Sequence, residues 1–253
     1  MSRITLRVPG DVSAAGLGKN TPFLNTRGLL YAGYLIGTGY TDNPLQDLSR
    51  NGRDMTQTGG AIGATSMVCG PTGYLVCPFT GAELAAVGGT LTKLCIAKIG
   101  SASNALLMSP GLFFASTSLS APSNAPVGAI NRDGVNVTGT ANVTSGVDVA
   151  RGTRFEMYAA TFSTTSQSSY RGWGDPDDNA AQTAATARTA GDGALGGTNP
   201  EHIGYGSPGS AGWTTATPEI VAALYFAGTL TTNELDAQRR HFTTLLGDYS
   251  VTL

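Results

Sequence analysis

Four oxygen-bearing side chains, Asp175, Asp177, Asp178 and Asn179, fall within five residues of the stretch GWGDPDDN. Carboxylates and carboxamides are the ligands a hard cation such as calcium takes. The segment is therefore a candidate cation loop, with a solvated acidic turn as the alternative. It lacks the twelve-residue helix–loop–helix spacing of an EF-hand, and Pro176 interrupts it. Asp42, Asp47 and Asn51 form a second, weaker candidate. Aromatic residues in polar stretches point to a different chemistry. Tyr170 and Trp173 precede the acidic cluster, and Tyr205 and Trp213 flank a Gly/Ser-rich segment before the last apolar run. Aromatic faces pack on sugar rings while fixed polar groups orient them, so these four are the candidate glycan-binding residues. Closing the ends of a core is their competing role.

Acid–base and nucleophilic chemistry finds little support. Of the two histidines, His202 follows Glu201 at the start of a strand, where a structural hydrogen bond is expected. His241 lies beside Arg239 and Arg240 on a helix, which suggests a solvated face. No G-x-S-x-G elbow, phosphate loop or dinucleotide fingerprint occurs. Cys69, Cys77 and Cys95 are odd in number and contain no C-x-x-C pair, which argues against a disulfide framework or a zinc site. They read as buried small hydrophobes, although Cys69 and Cys77 could pair across a hairpin. The expectation is a protein that is not an enzyme.

Composition narrows the class further. The chain has 253 residues, with 15 Lys+Arg against 17 Asp+Glu and a formal net charge of -2. Without a basic run it has no surface for tracking phosphates, so no nucleic-acid partner is expected. Charged residues make up only 13% and glycine 35 positions, too few solvating side chains for a helical bundle. No stretch approaches the ~18 apolar residues that would span a bilayer. No apolar region follows Arg3 and Arg7, so no secretory signal is expected and synthesis in a reducing cytosol is.

The elements that would position these residues are mostly strands. Residues 1–27 read as an arm: Ile4, Leu6 and Val8 alternate with polar residues, Pro9-Gly10 stops the strand, and a small-residue linker follows. Strands are expected at 28–36, 66–69, 73–77, 90–99, 105–108, 112–115, 125–131, 135–140, 154–162, 202–206 and 219–228, with a long ordered loop at 42–60 and a polar excursion at 163–200. In TLTKLCIAKI (90–99) neither face is cleanly polar, so this strand should lie between two layers. One helix is expected, near the C-terminus. Thr231 and Glu234 form a capping box, Leu230 and Leu235 a staple, and Leu235, Phe242, Leu245 and Leu246 the apolar stripe, with Gly247 at its end. Residues 28–253 thus read as one all-β domain.

Three stretches in order resemble the concanavalin A-like lectin/glucanase fold, laminin-G-like domains in particular: DNPLQDLSRNGRDMTQTGG, GTRFEMYAATFS, and EHIGYG followed by EIVAALYFAGTLTTNELDAQRRHFTTLLG. The resemblance implies a jelly-roll sandwich of two antiparallel sheets. It departs from the family at 219–225, where Glu219-Ile220 replaces the usual Asp-Glu opening. Hydrolases of this fold carry carboxylates at i, i+2 and i+4 of one strand face, and no strand here does; Glu156 is alone on its strand. A lectin-like sandwich without signal peptide or disulfides suits a bacteriophage virion structural protein, whether capsid decoration, spike or tail fibre. Its arm would bind other virion proteins, a homo-oligomer is expected, and adhesion to host-surface glycans is the role of the outward face. The alternatives are a free carbohydrate-binding module or, less favoured, a glycan-cleaving enzyme.

Overall fold

A computed structural model describes residues 22–99, 105–110, 115–121, 127–133, 140–143, 153–187, 198–204 and 217–253. The arm before residue 22, Tyr205 and Trp213 lie outside the described residues.

Two seven-stranded antiparallel sheets make an all-β sandwich, as expected. The first runs β1 (Leu30–Leu35), β14 (Glu219–Phe226), β5 (Leu91–Lys98), β10 (Glu156–Phe162), β11 (Ser166–Gly172) and β12 (Gln182–Ala187), with the short β3 (Met67–Val68) also on β14. The second runs β2 (Thr56–Gly59), β4 (Gly73–Thr80), β13 (Pro200–Ile203), β6 (Ala105–Pro110), β7 (Ala115–Ala121), β8 (Val127–Asp133) and β9 (Thr140–Val143). Two of the polar strands, β11 and β12, fall in the 163–200 excursion. β9 (Thr140–Val143) pairs with β8, and residues 135–139 of the strand expected there lie outside the described residues.

β5 shows why the charged face is so small. Leu91, Cys95 and Ala97 join Tyr158 and Tyr225 in the core between the sheets. Leu94 and Ile96 turn the other way, onto a second core with Leu224, Phe242 and Leu246. The strand is buried on both faces because a helix, α2 (Thr232–Gly247), covers the back of the first sheet. Burying two faces removes apolar area twice, at about 25 cal/mol per Å², and a strand so placed has no polar face to show.

The start of α2 forms as expected: the Glu234 N–H donates to Thr231 Oγ1, and the Thr231 N–H donates to Glu234 Oε2 at 2.8 Å. Leu235, Phe242 and Leu246 are buried, and so are Gln238 and Arg239. Gln238 is covered by the chain at 22–27: its Nε2 donates to Leu24 O and Thr26 Oγ1, and Phe23 packs near Phe242. His241 is half-buried rather than fully solvated; its Nε2 lies 2.6 Å from the Pro22 carbonyl and donates to it.

A second helix, α1 (Gly81–Gly88), was not expected. Ala82, Glu83, Leu84, Ala85 and Ala86 are good helix formers, but two turns with glycine at both ends are too short to hold by propensity alone. A capping box from Thr80 and Glu83 starts it, and Gly89 in the left-handed region (φ 66°) ends it.

All three cysteines are buried and free, so Cys69 and Cys77 do not pair. The tight Gly70–Gly73 turn separates their paths: the Cys69 N–H bonds Pro218 O, while the Cys77 thiol lies 3.6 Å from the Tyr225 hydroxyl. Burial pushes the Cys69 thiol up to about 12.

The loop at 42–55 is an edge cap rather than a second cation site. Asp47 is buried, and its carboxylate accepts the N–H groups of Gly33, Ser49 and Arg53. Asn51 Nδ2 donates to Leu30 O and Tyr31 O, and an Arg53 nitrogen donates to Tyr31 O. Side chains thereby satisfy a strand edge that would otherwise template aggregation.

Two carboxylates make the fold acid-sensitive. Burial alone would raise both, but Glu219 accepts from Lys98 and Ser66, and Glu234 from Arg27 and Thr231, so each titrates below the usual value of 4.5. A folded-state value below the unfolded one gives stability that is full above the unfolded pKa and lost as pH falls through the folded one. The thermal midpoint should therefore drop as pH falls below about 4.5. A Glu219→Gln/Glu234→Gln variant should start lower at neutral pH and lose less on acidification, as followed by circular dichroism melts.

Candidate functional site

Strand register assembles a polar cluster at one end of the sandwich. In the β10–β11 pair Tyr158 stands opposite Arg171, and Gln182 of β12 is Arg171's other neighbour. Alternation puts Glu156, two residues before Tyr158, on the same face. Glu156 Oε2 accepts from the Tyr158 hydroxyl at 2.7 Å and from Arg171 Nε at 2.6 Å. Its Oε1 accepts from Arg171 Nη2 at 2.8 Å and Arg154 Nε at 2.9 Å. Arg171 is fully buried and spends another nitrogen on Gln182 Oε1. A buried carboxylate so engaged by two guanidiniums and a phenol fixes the positions of its neighbours.

Trp173 sits at the mouth of this cluster. Half-buried, it has the Arg154 guanidinium 4.0 Å from its ring centroid and Arg171 at 5.1 Å. Cation–π contacts of this kind hold the indole in place. The result is an oriented aromatic at the end of the sandwich.

The other predicted residues are placed differently. Tyr170 is one residue out of phase with Arg171 and Trp173, so it faces the opposite way, beneath α2, 1% exposed, with its hydroxyl donating to Asp236 Oδ1 at 2.6 Å. It shares no platform with Trp173. Burial raises its phenol well above the ordinary range.

The predicted cation ligands do not converge. Asp175 Oδ1 accepts the Asp177 N–H, and the Asp175 carbonyl accepts from Asp178 and Asn179, which closes a tight turn. Arg240 of α2 then reaches Asp177 Oδ1 at 2.8 Å and Asp175 Oδ1 at 3.8 Å, while buried Arg239 donates to the Asn179 carbonyl. The acidic turn is a dock for the helix. Among the described residues no group of three or more His, Cys, Asp or Glu side chains is arranged to hold a metal.

Glu201 and His202 also part company. Glu201 points inward and pairs with Lys93, both fully buried, across the two sheets. His202 points outward beside Tyr74, with ring centroids 5.1 Å apart, and its buried Nδ1 has no partner among the described residues. Adjacent strand residues face opposite sides, so Glu201 and His202 do not share a site. Burial lowers the His202 pKa and keeps the ring neutral. Sequence reasoning missed the Lys93–Glu201 pair and the Glu156 network. The available signal was a charged residue inside an otherwise apolar strand, as at Lys93 in TLTKLCIAKI.

No protein-family model and no curated protein matches the sequence. Solved structures do match in fold. The binding domain of botulinum neurotoxin DC in complex with SialylT is 10% identical with a TM-score of 0.58, over 86% of this chain and 51% of that one. The structure describing cell entry of botulinum neurotoxin type C through two ganglioside molecules is 11% identical at 0.59, over 87% and 52%. Trypanosoma rangeli sialidase in complex with sialic acid is 15% identical at 0.55, over 100% and 37%. The chain spans about half the length of the neurotoxin binding domains it matches. At these identities the likeness is one of architecture, and what it shows is the β-sandwich fold.

Proposed function

We propose that this chain is a carbohydrate-binding β-sandwich module without catalytic activity, carried by a bacteriophage virion structural protein for assembly and host-surface adhesion. The observation that carries the glycan reading is Trp173, an aromatic ring held in place by Arg154 at the mouth of a rigid polar cluster. Proteins of the same architecture bound to sialylated ligands support it. The engagement of both Glu156 oxygens by Arg154, Tyr158 and Arg171 supports a binding role over catalysis, since the carboxylate is held within the protein and not presented to a substrate. The low charge and the strand-patterned arm support the virion setting, with other virion proteins and further copies of this chain as partners.

A glycan array tests the module. The expected result is saturable binding that falls about tenfold or more in Trp173→Ala, because an aromatic anchor carries a large share of such contacts. Calcium should make no difference, since Asp175 and Asp177 are engaged by Arg240. A blank array from folded protein would overturn the carbohydrate reading.

A further inference from the structure

At the edge of the first sheet, between β1, the capping loop and α1, lies a recess of about 220 Å³, lined among others by Leu29, Tyr31, Asn51, Arg53 and Val87. We propose that this recess is a second saccharide subsite, distinct from Trp173, and that it takes the carboxylate of an acidic sugar; the sugar half of this proposal rests on the carbohydrate-binding reading above.

The charge comes from Arg53. Its guanidinium lies 3.6 Å from the Tyr31 ring centroid, and one Nη donates to the Tyr31 carbonyl at 2.9 Å. Among the described residues no carboxylate pairs with it, and its Nε and second Nη make no hydrogen bond. The loop's buried carboxylate, Asp47, does not serve as a partner side chain, because its oxygens accept the backbone N–H groups of Gly33, Ser49 and Arg53. A guanidinium offers its donors in a planar fork that matches a carboxylate. Stacking on Tyr31 fixes that fork before a ligand arrives, so little ordering entropy remains to be lost on binding.

The remaining walls suit a sugar ring. Asn51 spends its Nδ2 on Leu30 O, Tyr31 O and Ser49 Oγ, which orients the carboxamide and leaves Oδ1 as an acceptor for a hydroxyl. Leu29 and the 66%-exposed Val87 supply an apolar rim. Tyr31 is itself braced edge-on by Phe79 at 5.1 Å. The volume is below the ~300 Å³ usual for drug-sized ligands, which limits the occupant to about one ring.

The test is an amide-shift NMR titration of the full chain with N-acetylneuraminic acid, its methyl ester, and acetate. The acid should shift residues 29–31 and 51–53 saturably, the ester should bind at least about tenfold more weakly, and acetate should bind more weakly than the sugar. Arg53→Gln should abolish these shifts. Val87→Glu, a surface change that places a like charge at the rim, should weaken them at least about tenfold without touching the loop. Trp173→Ala should leave them in place. Equal binding of acid and ester, shifts unaffected by Arg53→Gln, acetate binding as tightly as the sugar, or no shift at these residues would each overturn the subsite. Shifts confined to the surroundings of Trp173 and lost in Trp173→Ala would overturn it while sustaining the module. Failure of both the titration and the glycan array would remove both.

Discussion

Replacing Lys93 with Met should destabilise the sandwich by about 3–5 kcal/mol, a fall of roughly 6–20 °C in thermal midpoint for a chain of this size. Lys93 Nζ lies 2.8 and 2.6 Å from the two oxygens of Glu201, and neither side chain is exposed. Lys93 comes from β5 and Glu201 from β13, so the pair crosses the interface between the sheets. Burial lowers the Lys93 pKa and raises that of Glu201, and their mutual attraction opposes both shifts. Met removes the ammonium and leaves the Glu201 carboxylate unpaired in the core. The destabilisation is the cost of that orphan more than the worth of the bridge. Lys93→Met/Glu201→Leu should therefore recover most of the loss, because two well-packed apolar side chains replace two desolvated ions. Urea unfolding of the single and double variants checks this. A double variant as unstable as the single would show that the pair itself, and not the orphaned charge, carries the stability.

Removing the Glu156 carboxylate with Ala should cost a similar amount, about 3–5 kcal/mol. It strips Arg171, which is fully buried, of a bidentate partner and Arg154 and Tyr158 of one bond each. Glu156→Gln should cost less, since it keeps an acceptor and the side-chain volume. The effect should also reach the surface. Arg154 holds the Trp173 ring from a position that Glu156 sets, so Glu156→Ala should shift tryptophan fluorescence in the folded protein and weaken any glycan binding at Trp173. Unchanged stability and fluorescence would mean that the guanidiniums find other acceptors and that Trp173 is held without them.

Some of this was legible in one dimension. The Thr231–Glu234 box, the Leu230–Leu235 staple and the stripe through Phe242 all act within a few residues, and α2 begins and packs as they indicate. The lack of a cleanly polar face in 90–99 placed β5 between two layers, because only a strand buried on both faces can do without a polar one. By contrast, SQSSYRG and QTAATA have no apolar alternation. They form strands because their neighbours β10 and β11 offer open edges, a circumstance that local pattern does not record.

The candidate site shows the same division. Proximity in sequence joined Tyr170 to Trp173 and Glu201 to His202, yet strand phase sends the members of each couple to opposite faces. Clustering of Asp175, Asp177 and Asp178 suggested a cation, but α2 brings Arg240 to the turn from more than sixty residues away. What the sequence alone determined is the class of fold, the exclusion of a helical bundle, and the ends of the last helix, since periodicity and capping are local. What only the tertiary structure decided is which charges meet: Lys93 with Glu201, Glu156 with Arg171, Asp177 with Arg240. These pairings depend on sheet register and on which strands become neighbours, and buried charges find partners wherever the fold supplies them, because desolvation leaves them no tolerable alternative.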